Sequence, residues 1–416
     1  MPENNPPLSA LADPERRAAA AGQVMSSGLV VLALSLLLGI QPVTTDLYLP
    51  ALPAITAEFG ASLAQAQLTL SGMLLAFGLS QLVWGPVSDR FGRRPVLLAG
   101  LAGYTVAAAA SALAQSMEAL VVWRIVQGAA MGASVMCARA LVRDLYCPEL
   151  GARVISKGLT GLGVIACLNL PLGGFLAEAF GWRITLLAPA LFAAAALGLV
   201  ALRFRETLGT PNPRALAPSV LLRTWRQILA HPTFWAFTLL SAASYGGLFT
   251  ILAMSSFVFI TLMGMSKFGY GLLMVSMTAS YLFGTVYCRH LLVRVGVRRA
   301  VTIGGGFSAL GGTLLGVLAL AGVDTPWGLM PAVWLFAIGH GIHQACGQAG
   351  AVGPFPQAAG AASALSGFLM MLVAFGMGSW LGLTVDGSLF PMASGVWFWG
   401  VVTALVAWGM VRRVRL

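Results

Sequence analysis

Charge is scarce in this chain: Lys and Arg number 24, Asp and Glu 13, and together they make up only 9% of the 416 residues. With 58% hydrophobic residues and a mean hydropathy of +0.86, there is too little polar surface to cover a water-soluble globule. Lipid is the solvent for most of the chain. Cysteine is sparse too: Cys137, Cys147, Cys167, Cys288 and Cys346 form no CxxC pair and have no metal-ligand spacing, and they read as reduced packing residues. The only lysines are Lys157 and Lys267, and neither sits in a GxxxxGK[ST] phosphate loop, which closes the option of an ATP-driven pump. GxSxG and HExxH are also missing, so nothing points to a hydrolase and the chain does not read as an enzyme.

What charge there is has one predominant sign. The net charge of +11 and pI near 10.1 would suit nucleic acid only if the basic residues shared one water-facing surface. Instead they fall in short clusters between apolar stretches, as in the loops of a membrane protein, so no nucleic-acid partner is expected.

A bilayer core needs about twenty apolar residues per helix, because every backbone N–H and C=O must be satisfied within the segment. Such segments fall at 25 to 49, 66 to 86, 95 to 115, 119 to 140, 154 to 177 and 184 to 204, and again at 233 to 260, 269 to 290, 299 to 321, 327 to 348, 360 to 382 and 391 to 411. The first follows a polar tail, has no small-residue cleavage site, and reads as an uncleaved helix. The expected organisation is a tail over 1–24, a six-helix bundle over 25–204, a linker over 205–231, a second bundle over 232–411 and a tail over 412–416. The fold class is all-α integral membrane, with twelve transmembrane helices.

Basic residues favour the cytoplasmic side. With the N-terminus inside, twenty of the 24 lie in cytoplasmic segments or at their edges, which puts both termini in the cytoplasm. The turn after the second span reads Gly85-Pro-Val-Ser-Asp89-Arg90-Phe-Gly92-Arg93-Arg94, and Arg90, Gly92 and Arg94 return 204 residues later as Arg294, Gly296 and Arg298. A duplicated six-helix unit would produce that echo.

The turn at Gly85, Asp89, Arg90, Gly92, Arg93 and Arg94 resembles the signature of the major facilitator superfamily. Helix 1 ends in Asp46-Leu-Tyr48-Leu-Pro50-Ala-Leu-Pro53, similar to the pattern of drug:proton antiporters of the bicyclomycin and chloramphenicol resistance (Bcr/CflA) type. Arg124-Ile-Val-Gln127-Gly128 and Arg143-Asp144-Leu-Tyr146 are similar to further patterns of that group, and the resemblance runs from residue 25 to 411. It implies alternating access between two bundles, with a small amphipathic drug, protons and the bilayer of the bacterial inner membrane as partners, no cofactor and a monomeric state. It also implies a conformational latch at the first turn. There Asp89 is expected to accept bonds from a helix N-terminus or from an arginine across the interface of the halves. Gly163, Pro171 and Gly174 resemble the antiporter motif of helix 5, although Leu170 stands where the superfamily has glycine. Another proton-coupled carrier of a small metabolite on the same fold is the alternative.

Ionisable groups within the spans are functional candidates, because a charge at the bilayer centre costs upward of about 2.5 kcal/mol. Asp46, placed in the outer part of helix 1 before Pro50, is the expected proton-coupling acid. Arg124 needs an acid, carbonyl or water partner, and Asp46 is an attractive one; the resemblance assigns Arg124 to proton coupling as well. Arg139 is expected to pair with Asp144. At 100° per residue His340, His343 and Gln344 share a face of helix 10, and the superfamily's architecture turns that helix to a central cavity. With Tyr48, Gln127, Tyr245 and Phe249 they are the substrate-binding candidates. No carboxylate accompanies the His-x-x-His, so no metal site is expected.

Overall fold

The computed structural model describes residues 25–146, 148–384 and 387–414. Every membrane crossing is helical. In the first half the crossings are α1 (Ser27–Asp46), α2 (Leu63–Phe91), α3 (Arg93–Ala112), α4 (Met117–Leu145), α5 (Pro148–Ala179) and α6 (Trp182–Arg203). In the second half α7 (Pro232–Ser256) runs on through a π-helical turn, Phe257–Leu262. One helical stretch, Lys267–Leu320, has 54 residues. At 1.5 Å per residue it would be about 80 Å long, far more than a bilayer. It is two crossings, α8 and α9, broken at Gly296, whose φ is +75°. After these come α10 (Pro326–Val352), α11 (Ala359–Thr384) and α12 (Phe390–Leu405), the last extended by a π-helical Val406–Val411.

Among the described residues, ten stretches are long and apolar enough to cross a membrane, with α8 and α9 counted as one. The crossing that falls outside this set is α10, the helix carrying His340, His343, Gln344 and Gln348. Its polar side chains weaken the apolar signal, and packing within the bundle buries His340 and His343.

Gly92, with φ +101°, makes the turn between α2 and α3, and Gly296 makes the turn between α8 and α9. Both glycines hold a left-handed backbone that side-chain-bearing residues avoid. The echo extends to hydrogen bonds. Arg94 Nη2 donates to the Ala201 carbonyl near the end of α6, and Arg298 Nη2 donates to the Val414 carbonyl beyond α12.

Within the first half α4 packs against α1, α2 and α3, while α1 lies along α5; within the second, α7 packs against α10, α11 and α12. The halves meet along two seams, α2 against α11 and α5 against α8, which the internal repeat relates to each other. Two departures from the sequence expectations matter for function. The first span does not end near residue 49. Leu49–Ala51 form a short 3₁₀ turn and the chain continues as a helix over Leu52–Glu58, so the span runs Ser27–Glu58. Pro50 and Pro53 sit in the first turns of these segments, where a missing N–H costs nothing, and so they redirect the helix without ending it. The linker also contains a helix, Pro218–Leu229, whose Ile228 and Trp225 pack against the second half.

Candidate functional site

Continuation of the first span places Asp46 twelve residues, or about 18 Å, inside the Glu58 end. Asp46 is half-buried, and its Oδ1 accepts a 2.7 Å hydrogen bond from Thr45 Oγ1. It lies close enough to Tyr245 of α7 and Tyr270 of α8 in the second half to act on both electrostatically. Tyr270 is tied in turn to Ser255 Oγ at 2.8 Å.

Arg124 is completely buried on α4 and finds its partners elsewhere. Its Nη2 donates to the Thr44 carbonyl at 3.1 Å, Nη1 donates to Gln127 Oε1 at 2.9 Å, and the guanidinium carbon stands 4.5 Å over the Tyr48 ring. The sequence reading made Asp46 an attractive partner; no hydrogen bond or ion pair joins the two. Arg124 meets the backbone two residues earlier, at Thr44, while the Asp46 carboxylate takes its hydrogen bond from Thr45. Tyr48 is buried and hydrogen-bonds through its hydroxyl to Thr69 of α2, and Thr44 bonds likewise to Tyr104 of α3. Thr69 and Tyr104 carry no sequence signal of their own, since uncharged hydroxyls are common on membrane helices.

The expected common face of α10 divides. His340 Nδ1 lies 2.9 Å from Ser244 Oγ on α7, with the Tyr281 ring 5.6 Å and the Tyr245 ring 6.4 Å away. His343 turns to α9, its Nε2 3.4 Å from the Val301 carbonyl and its Nδ1 buried without a partner. Gln344 is half-buried and accepts from Gln348 Nε2. Phe249 is buried beside α11 at Gly378. His340 and Tyr245, with Tyr281, therefore stand on the same side of the second half as Asp46's neighbours, whereas His343 belongs to packing between α9 and α10.

At the basic end, where the α2–α3 turn lies, Arg93 is only 2% exposed and holds three partners. Its Nη1 meets Asp89 Oδ1 at 2.6 Å and Ser88 Oγ at 2.7 Å, and its Nε meets Asp144 Oδ2 of α4 at 2.9 Å. Arg143 approaches both carboxylates at 3.9 Å. The partners of the Asp89 carboxylate therefore belong to its own half, with no arginine or helix N-terminus across the interface among them. Arg139 also departs from its expected pairing: it donates to Ser363 Oγ of α11, because Asp144 is already taken by Arg93 and Arg143. Arg90 lies over the Phe91 ring at 5.4 Å, and Gly85 packs near the tip of Met136.

The sequence reading missed Glu206. Its carboxylate accepts from the backbone N–H groups of Arg93 and Arg94, which start α3, and from those of Thr207 and Leu208, all at 2.9–3.0 Å. Partial burial alone would raise its pKa, yet the four N–H donors outweigh that and hold it below the usual glutamate value. The available signal was that Glu206 is the only acid in a linker containing Arg205, Arg214, Arg223 and Arg226.

On the α5–α8 seam, the backbone at Gly174 meets the Lys267 carbonyl and the backbone at Gly271 meets the Leu170 carbonyl, an approach no larger residue permits. Gly163 faces Leu282, and Pro171 lies within α5 without ending it.

Two six-helix bundles with buried polar groups at their junction define a secondary carrier of the membrane. The profile of the Major Facilitator Superfamily matches residues 34–379, and the chain belongs to that family, within its Bcr/CflA-type group. It is 30% identical over 325 residues to a chloramphenicol resistance protein of Pseudomonas aeruginosa, covering 77% of this chain and 75% of that one. It is 27% identical over 365 residues to multidrug resistance protein D of Escherichia coli, covering 86% and 91% of the two chains. Among solved structures, the xylose transporter XylE of E. coli in a partially occluded inward-open conformation superposes with a TM-score of 0.73 at 15% identity, over 94% of this chain and 98% of the other. A bacterial homologue of the human lysosomal transporter Spinster, inward-facing and occupied, gives 0.74 at 15% identity, over 92% and 97%.

Proposed function

We propose that this transporter expels small amphipathic drugs, phenicol-like or more varied, in exchange for protons by alternating access in the bacterial inner membrane. Residues 25–204 rock against 232–411, and both termini lie in the cytoplasm. The observation that carries the reading is the place of Asp46. Among the described residues it is the one carboxyl away from the ends of the crossing spans, and it lies within electrostatic reach of tyrosines of the second half. A carboxyl there changes its surroundings whenever the halves move, as a coupling group must. Arg124 acts beside it by holding the α1 backbone at Thr44, while Tyr245, His340 and Tyr48 border the space a drug would occupy. The Asp89–Arg93–Asp144 cluster is the latch. The resistance names of the relatives support export over uptake of a nutrient.

Everted vesicles loaded with a pH-sensitive dye test the proposal. Adding a transported drug to respiring vesicles should release protons from the acidified interior, and candidate compounds added singly would identify the substrate. Uphill drug movement that continues after both ΔpH and membrane voltage are collapsed would rule the coupling out.

A further inference from the structure

The seam between α5 and α8 carries a pair of charges that the latch and the candidate drug site leave unused. At the end of the molecule opposite the basic turns, Lys267 Nζ donates to the Ala177 carbonyl in the last turn of α5, at 3.1 Å. One residue along each helix, Glu178 Oε2 accepts from the Phe268 backbone N–H in the first turn of α8, at 2.9 Å. Each charge is supplied by one half of the protein and caps a helix terminus of the other. The signs suit the termini: a carboxylate meets the N–H end of α8, and an ammonium meets the carbonyl end of α5. No ion pair within 4.0 Å joins Glu178 to Lys267 themselves.

Cross-half hydrogen bonds are unevenly placed. Besides these two, Gln67 Nε2 of α2 donates to the Ala253 carbonyl of α7 near the same end, whereas among the described residues the basic end has one, from Arg139 to Ser363. Below the two caps the helix backbones touch at Gly174 and Gly271. Any motion that parts α5 from α8 at this end must first strip both termini of their charged caps.

We propose that Glu178 and Lys267 are positioning residues for transport: a reciprocal helix-terminus clamp that holds shut the end opposite the basic turns. The inference rests on the alternating-access reading, but it does not depend on what is carried or on proton coupling. A native reporter lies below the clamp. Gly163, Cys167, Leu170 and Gly174 follow the i, i+4, i+7, i+11 stripe of α5, and its other members face α8 at Leu282, Gly271 and Lys267. Cys167 is eleven residues, or about 16 Å, inward from Glu178.

The experiment measures alkylation of Cys167 by a membrane-impermeant maleimide, without drug or gradient, in intact cells and in everted vesicles, with peptide mass spectrometry to resolve the site. Glu178→Gln and Lys267→Met should each speed labelling from one face only by about two- to fivefold, the scale of one charge at a helix terminus. The double variant should show roughly the product, because the caps act on different helices. The decisive variant exchanges the charges, Glu178→Lys with Lys267→Glu. It places each charge against the terminus of like sign, so labelling should exceed that of the neutral double variant. A plain ion pair would instead be restored by the exchange, and native labelling in that variant would overturn the proposal. So would unchanged labelling in both single variants, or an equal rise from both faces, which would mark general loosening. If drug–proton exchange fails while labelling behaves as stated, the coupling reading falls and the clamp stands.

Discussion

Asp46 and Arg124 can be separated experimentally, because they touch different partners. Asp46→Asn keeps the shape of the side chain and an oxygen for the Thr45 hydroxyl, so it should fold normally yet lose drug-dependent proton release by about 10²-fold or more, the scale of an essential proton-transfer group. Intact coupling in that variant would remove Asp46 from the mechanism. Arg124→Ala removes the bonds to the Thr44 carbonyl and Gln127 and the contact with Tyr48. It should destabilise the detergent-solubilised protein by about 2–5 kcal/mol, as truncating a large buried side chain does, and lower transport at every pH. A displaced midpoint of the pH profile would show instead that Arg124 acts directly on the Asp46 carboxyl. Lysine at 124 should restore little, since a single ammonium cannot reach both acceptors and stack on Tyr48.

At the scale of elements, the turn between α2 and α3 gives two measurable contrasts. Gly92 and Gly296 both have positive φ, but a β-carbon at Gly92 would also crowd the Glu206 carboxylate, while the space at Gly296 is open. Alanine at 296 should therefore cost only backbone strain, about 1–2 kcal/mol, and alanine at 92 more, as differences in thermal unfolding would show. Glu206→Gln weakens the cap on α3; because the side chain is largely exposed, the loss is discounted to about 1 kcal/mol or less. The sign of its pH dependence follows from linkage. Its folded pKa lies below the ordinary 4.5, so its contribution is complete above that value and disappears as pH falls through the lower folded pKa. The difference in unfolding temperature between native protein and Glu206→Gln should therefore shrink in acid.

Over the whole molecule, the twelve crossings and the repeated turn were legible in the linear chain, because each rests on a local property. A span needs only enough consecutive apolar residues, and an Arg-Gly-Arg turn repeats wherever a six-helix unit is duplicated. The motif from Gly85 to Arg94 was legible for the same reason, as a dense run of glycine and charge within ten residues. Hydropathy was least informative where proline and polar residues blurred it: it ended the first span near residue 49, although the helix continues to Glu58.

Which polar groups meet was a different matter. Lipid as solvent, the number of crossings, the pseudo-repeat and the presence of intramembrane ionisable groups followed from the sequence alone. The tertiary structure decided that Arg124 holds the Thr44 carbonyl instead of Asp46, that His340 and His343 turn to different helices, that Asp89 stays within its own half, and that Glu206 caps α3. The physical reason is that apolar periodicity sets where a helix runs and how long it is. Its rotation about its own axis is set by close packing with neighbours far away in the chain, and that rotation chooses each polar partner.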